Sequence, residues 1–369
     1  MTENLVRRGL ASWMSHNGLN LKSWPRPNPA PLSSAAHRAA LRETRVNSDS
    51  VFIAHAAWYD ILSESALDVY EAFHDKAKVY VLVSPGWHGG ETRVGDARWP
   101  GFWNRGASMP RFNELTVGSA PEEPSHVLYY LMGDPANPDS VGNTWRRSET
   151  WPPAHIPLKL FMESSGGLSS RPPAETATLG YTYDPRDPTP AFGGNGSYSI
   201  PVGPMDQRPL RNREDVLYFV TQPLHRPLMF AGRVSGQLRI STDAPDTLFV
   251  LKLIDIHPEG RETLIRETPV MARFAEELDG QTPLVSSRIY TLPFEFQSTA
   301  RAINPGHRLG LIVTSASVLE GPRGPFEVYE VHPNTFEPVP SIEQARPARQ
   351  TLYFDPDTPA FLTLPVLER

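Results

Sequence analysis

Val51-Phe52-Ile53-Ala54-His55-Ala56-Ala57-Trp58-Tyr59-Asp60 is the stretch on which the fold of the first part of this chain turns. Its first seven residues form a short, nearly continuous apolar run, the pattern of a strand buried on both faces. Lys78-Val79-Tyr80-Val81-Leu82-Val83 is a second such run, rich in β-branched residues and followed by Ser84-Pro85-Gly86-Trp87-His88. Between the runs, Leu62, Ala66, Val69, Tyr70 and Phe73 recur at helical spacing and predict a helix over residues 61–73. Strand, helix and strand predict a parallel βαβ unit. Asp60 and His88 then stand just beyond the carboxyl ends of two parallel strands, where open α/β sheets carry their sites.

An acid followed by a histidine in those places matches the last two members of a Ser-Asp-His triad in α/β-hydrolase chain order. The serine of that order precedes the acid, on a strand-turn-helix elbow reading G-x-S-x-G. The sequence contains no such match. Gly106-Ala107-Ser108-Met109-Pro110 and Gly167-Leu168-Ser169-Ser170-Arg171 come nearest, but both follow His88. The roughly fifty residues ahead of the Asp60 strand are too few and too polar to form half a doubly wound sheet. The chain therefore reads as the C-terminal portion of a hydrolase, or as a hydrolase whose triad has been dismantled.

A length of 369 residues suggests two domains. A net charge of −6 and the lack of a basic stripe with interleaved aromatics argue against nucleic acid as a partner. The 39 prolines are scattered, and proline avoids central strands, so they suit a loop-rich β protein with many strand ends. The 8 Trp, 12 Tyr and 16 Phe argue against a disordered Pro-rich chain. With no cysteine there is no disulfide, thiolate metal site or cysteine nucleophile. No apolar stretch is long enough to span a membrane and no export signal opens the chain, so the expected location is cytoplasmic.

Residues 1–48 read as two short helices, the second from Ala35 to Thr44, with a proline-rich link at residues 25–31. Residues 49–120 hold the βαβ unit and an aromatic excursion, Trp99-Pro100-Gly101-Phe102-Trp103. From Val127-Leu128-Tyr129-Tyr130-Leu131-Met132 onward, short strands alternate with turn signals. Examples are residues 158–162, 216–220, 236–240, 248–254 and 309–313. That spacing predicts an all-β sandwich over residues 121–369, best matched by a jelly roll. The expected fold class is thus α/β plus all-β.

Together these strings resemble the CocE/NonD group of serine hydrolases, which includes X-Pro dipeptidyl-peptidases, cocaine esterase and glutaryl-cephalosporin acylases. Trp58-Tyr59-Asp60 resembles the acid motif, with Ala57 where the group usually has glycine, and Pro85-Gly86-Trp87-His88 resembles the histidine motif. Trp145-Arg146, Trp151-Pro152-Pro153, Tyr183-Asp184-Pro185-Arg186-Asp187-Pro188, Gly203-Pro204-Met205-Asp206 and Asn304-Pro305-Gly306-His307 follow in the group's order. The resemblance implies an α/β-hydrolase core with a helical cap and a C-terminal jelly roll of the galactose-binding-like kind. Residues 1–48 would then be the end of the cap and the return to the core. It also implies that the elbow serine and the oxyanion-hole tyrosine have no counterpart here.

Asp60 is thereby expected to accept the imidazole N–H, and His88 to act as general base and then general acid. Trp58 and Trp87 are weaker candidates for lining an acyl pocket, with structural packing as the alternative. His55 is expected to be a satisfied core histidine and His307 a turn-fixing donor. Asp243, Asp246 and Asp255 lack calcium-loop spacing and are expected to cap turns. No metal or cofactor is expected. The expected partners are a small ester or amide substrate and either a second copy of the chain or a complementing chain bearing the nucleophile. The rival expectation is a non-catalytic binding or assembly protein built on the jelly roll.

Overall fold

The computed structural model describes residues 38–60, 63–87, 97–99, 123–195, 202–275, 282–321, 324–327, 331–337, 339 and 341–368. Of the second expected helix, residues 38–43 are helical. The βαβ unit is present as β1 (Val51–Ala57), α1 (Ser63–Phe73) and β2 (Lys78–Ser84). β1 and β2 are parallel in continuous register, from Val51 opposite Lys78 to Ala57 opposite Ser84. β3 (His126–Leu131) joins β2 in parallel, and β4 (Thr144–Ser148) closes the far side antiparallel. The first sheet therefore runs past the boundary expected near residue 120, and the strand around Val127 belongs to it.

β1 is not buried along its length. Only Ala56 and Ala57 are buried, whereas Val51 and His55 are exposed. It occupies the sheet edge, with β2 as its one strand neighbour among the described residues, so half of its surface meets no strand. The helix departs from expectation in the opposite sense. Leu67, Tyr70 and Phe73 pack toward the sheet, yet Asp68 is buried as well. An amphipathic helix leaves its acidic side to water; here that side is covered by the second unit.

The second unit opens with β5 (His155–Met162), β6 (Leu168–Ser169), β7 (Ala177–Tyr183), β8 (Leu217–Val220), β9 (Leu228–Gly232), β10 (Ser235–Thr242) and β11 (Leu248–Ile256). It continues with β12 (Glu262–Met271), β13 (Tyr290–Glu295), β14 (Thr299–Ile303), β15 (Arg308–Thr314), β16 (Val318–Gly321), β17 (Gly324–Glu327), β18 (Ala348–Phe354) and β19 (Phe361–Leu367). Nine of these strands form one antiparallel sheet around β10 and β19, and a four-stranded sheet runs β12-β11-β15-β8. Strand alternation sends Leu251 and Leu253 of β11 and Leu311 of β15 into one apolar core with Phe230, Leu238 and Leu362 of the larger sheet. The chain is therefore mostly β, with two sheets sharing a core. No described helix is long and apolar enough to cross a membrane.

The two units meet along β14. Met132, one residue past β3, exchanges backbone hydrogen bonds with Ala300 and Ala302, its amide donating at 3.0 Å and its carbonyl accepting at 2.7 Å. Ala300 and Ala302 face the core of the first unit, alongside Tyr130 and Trp58. Arg301, between them, points the other way, into the sandwich.

Candidate functional site

The parallel ladder of β1 and β2 continues beyond both strands. Trp58 N–H donates to Ser84 O at 2.8 Å, and Tyr59 N–H donates to Gly86 O at 3.0 Å. Asp60 then turns back, its N–H donating to Ala57 O at 3.0 Å. These bonds hold Asp60 one residue past a peptide whose partner, Gly86, lies two residues before His88. His88 itself lies outside the described residues. Asp60 is half-buried.

Its neighbours are fixed by packing. Trp58 is fully buried; its indole N–H donates to Tyr130 O at 2.8 Å, and its ring stacks on Trp151 at 6.0 Å. That is the packing alternative for Trp58. Trp87 is half-buried against the same core. Tyr59 is buried too, stacked on Trp99 at 6.2 Å. Desolvation pushes its hydroxyl pKa up to about 12, against the pull of the nearby Arg301 and Arg266 guanidiniums. The residue preceding the acid is thus embedded in the joint with the sandwich.

His55 is not the core histidine expected. It is exposed on the edge strand, with Nε2 3.3 Å from Ser84 Oγ. Desolvation of the ring lowers its pKa, and the Asp60 carboxylate opposes that shift. Of the near-miss serines, Ser169 sits at the end of β6 and donates to Arg171 O at 2.8 Å, which is no elbow. Ser108 lies outside the described residues.

A second polar centre, unread in the sequence, lies inside the sandwich. Asp255 is fully buried and accepts from His307 Nδ1 at 2.8 Å and from Arg301 Nη2 at 2.8 Å. Burial raises and these partners lower the Asp255 pKa, which ends below the usual carboxylate value. His307 is therefore a buried hydrogen-bond partner of Asp255 rather than only a turn donor. Gly306, at φ +83°, makes the preceding turn in a conformation that a side chain would strain. Asp255 does not cap a turn; Asp246 accepts the adjacent Thr247 N–H at 2.9 Å, whereas Asp243 accepts the N–H of Arg349 in the distant strand β18 at 2.9 Å.

Next to Asp255, the side chains of Asp134, His257 and His307 bring one ligand-type atom each within 4.8 Å of one another. The guanidinium of Arg261 already stands there, with Nη2 3.3 Å from Asp134 Oδ1 and 3.2 Å from His257 Nδ1. A fixed cation occupies the position that a metal ion would take, and the set fits a metal poorly.

A third cluster ties α1 to the sandwich. Arg233, from the turn after β9, lies within 2.6 Å of Glu64, 2.6 Å of Asp68 and 2.5 Å of Glu71. Glu64 also accepts from Ser298 N–H at 2.6 Å. Desolvation first, then repulsion from Glu64, raises the Asp68 pKa to about 6, with Arg233 opposing. Sequence spacing showed α1 but not its partner, since Arg233 is 162 residues beyond Glu71.

The family described as X-Pro dipeptidyl-peptidase C-terminal non-catalytic domain matches residues 120–363. Cocaine esterase of Rhodococcus sp. is 28% identical over 340 residues, covering 85% of this chain and 56% of that protein. The chain spans about half the length of the curated relatives it matches. Among solved structures, an aminopeptidase from the marine sediment archaeon Thaumarchaeota archaeon superposes with a TM-score of 0.75 at 23% identity, covering 93% of this chain and 59% of that one. An α-amino acid ester hydrolase gives 0.71 at 25% identity, covering 91% and 58%. A CocE/NonD family hydrolase from Staphylococcus aureus gives 0.61 at 12% identity, covering 87% and 54%.

Proposed function

The chain belongs to the X-Pro dipeptidyl-peptidase C-terminal domain family, among CocE/NonD hydrolases, and from that premise we propose that it supplies the acid and histidine of a serine hydrolase. In this reading Asp60 orients the imidazole of His88 and stabilises its cation, while His88 relays the proton between nucleophile and leaving group. The observation that carries it is the Tyr59 N–H to Gly86 O bond, which aligns the Asp60 turn with the segment entering His88 at the carboxyl ends of parallel strands.

Residues 1–37, the greater part of the expected cap end and return to the core, lie outside the described residues; in this reading the partial α/β-hydrolase core runs from residue 49 through β4, and the second unit is a jelly roll. That jelly roll acts as a brace, because the Tyr59 hydroxyl meets Leu264 O of β12 at 3.5 Å. The substrate class is a small ester or amide, as the names of the relatives suggest. Trp87, half-buried beside the site, is the better placed of the two tryptophans to meet an acyl group. The serine and the oxyanion donors come from outside this sequence, on a continuous or a complementing chain.

Two measurements test this. The purified chain alone is expected to show no fluorophosphonate adduct by intact mass and no turnover of an activated ester. In an active form, joined to or mixed with the nucleophile-bearing half, Asp60→Asn is expected to lower kcat by about 10⁴-fold and His88→Ala by about 10⁶-fold. Unchanged kcat in both variants would overturn the assignment, in favour of a binding role for the sandwich.

A further inference from the structure

Arg301 of β14 has no access to solvent. Its Nη2 donates to Asp255, but its Nε and Nη1 are buried without a hydrogen-bond partner. Buried guanidinium N–H groups left unpaired are expensive, and native structures normally give them an acceptor. Asp255 does not reach them: its oxygens take only Arg301 Nη2 and His307 Nδ1. Beside Arg301 lies a cavity of about 10 Å³, lined by Trp99, Pro204, His257, Arg261 and Thr263 among others. That volume is about the size needed for one water-sized particle.

The lining is unbalanced. It holds two unpaired donor nitrogens of one guanidinium, bearing three N–H groups, and a second guanidinium, from Arg261. None of the buried side-chain acceptors that lack a partner belongs to a lining residue. A water placed there would satisfy the arginine but would itself seek acceptors for two protons. A monatomic anion accepts from every donor and needs none in return. We infer that this cavity is a binding site for a single small anion of the halide class, held by Arg301 and Arg261. The anion would lie against Trp99, the ring on which Tyr59 stacks, and so within the packing that supports the Asp60 turn. The inference is independent of the hydrolase assignment.

The test uses the purified chain in buffers of constant ionic strength, with sodium gluconate replaced stepwise by sodium chloride or bromide. The expected result is a saturable rise in Tm, about 2 °C at tenfold the dissociation constant. A crystal grown in bromide should show an anomalous peak in the cavity. Arg261→Gln is expected to raise the half-saturating halide concentration about tenfold, since one charged donor is lost. Arg301→Met should abolish the response. Arg261→Gln, at a residue that is partly exposed, keeps the test readable should Arg301→Met fail to fold. A Tm that depends on ionic strength alone, a water in place of the bromide peak, or a bromide peak without saturable stabilisation would each overturn the inference.

Discussion

The parallel sheet and the sandwich start from similar apolar runs and end in different states. β11 in the sandwich is buried at all nine positions, with strands on both sides and a facing sheet. β1 carries a comparable run, yet it is buried only where it enters the Asp60 turn. Burial is thus conferred by neighbours rather than by the run itself. The candidate catalytic turn stands on the less supported unit and is steadied by the better supported one. The supports are Met132 on β14, Tyr59 against Leu264 of β12, and Arg233 among the carboxylates of α1.

The sharpest way to break this comparison is to strike the centre of the sandwich. Asp255→Ala leaves Arg301 buried without its counter-ion, and losing one partner of a buried pair costs about 3–5 kcal/mol. Denaturant unfolding followed by tryptophan fluorescence is expected to show that loss, with the first unit unfolding in the same transition. A separate, unshifted transition for the parallel sheet would show that it does not depend on the sandwich.

The joint gives a smaller, pH-dependent effect. Asp68 has a folded-state pKa of about 6, above the ordinary 3.8, so the folded protein holds this proton more tightly than the unfolded chain does. The resulting stability is complete below about pH 4 and is lost as pH rises through 6. Asp68→Asn keeps the shape without the ionisation. Its stability relative to wild type is expected to rise between pH 4 and 7 by roughly 1–2 kcal/mol, allowing for solvent screening. Urea midpoints across that range check the sign. A difference that falls with pH would mean that the Asp68–Arg233 attraction dominates desolvation.

The smallest effect on stability is expected at the sheet edge. Ile53→Lys, on half-buried β1, should change unfolding free energy by no more than about 0.5 kcal/mol. A charge on an exposed edge suppresses strand-to-strand association, so light scattering of concentrated protein should fall. A loss of several kcal/mol would show the edge to be packed as tightly as β11.

Period and punctuation in the sequence were enough for the βαβ unit, the positions of Asp60 and the histidine segment, and most sandwich strands. These features depend on contacts between near neighbours: alternation along a strand, helical spacing, and turns at proline and glycine. β3 was legible as a strand but not as a member of the parallel sheet. Its partner Tyr80 is 46 residues from His126, and nothing in an apolar run states which sheet will take it. Asp255 looked like one of three scattered acids. Only the pairing of β11 across the core from β14 sets it against Arg301, and only the Gly306 turn brings His307 to its other oxygen. Asp68 is buried because Arg233, far along the chain, comes to lie against α1.

The sequence by itself determined which residues form strands, where each strand stops, and that an acid and a histidine follow two strands that pair in parallel, because local periodicity is a property of the chain. The tertiary structure decided which charges are buried and what they face. Burial in a β protein depends on strands distant in sequence, and a carboxylate acquires its pKa and its partner from whichever strand arrives beside it.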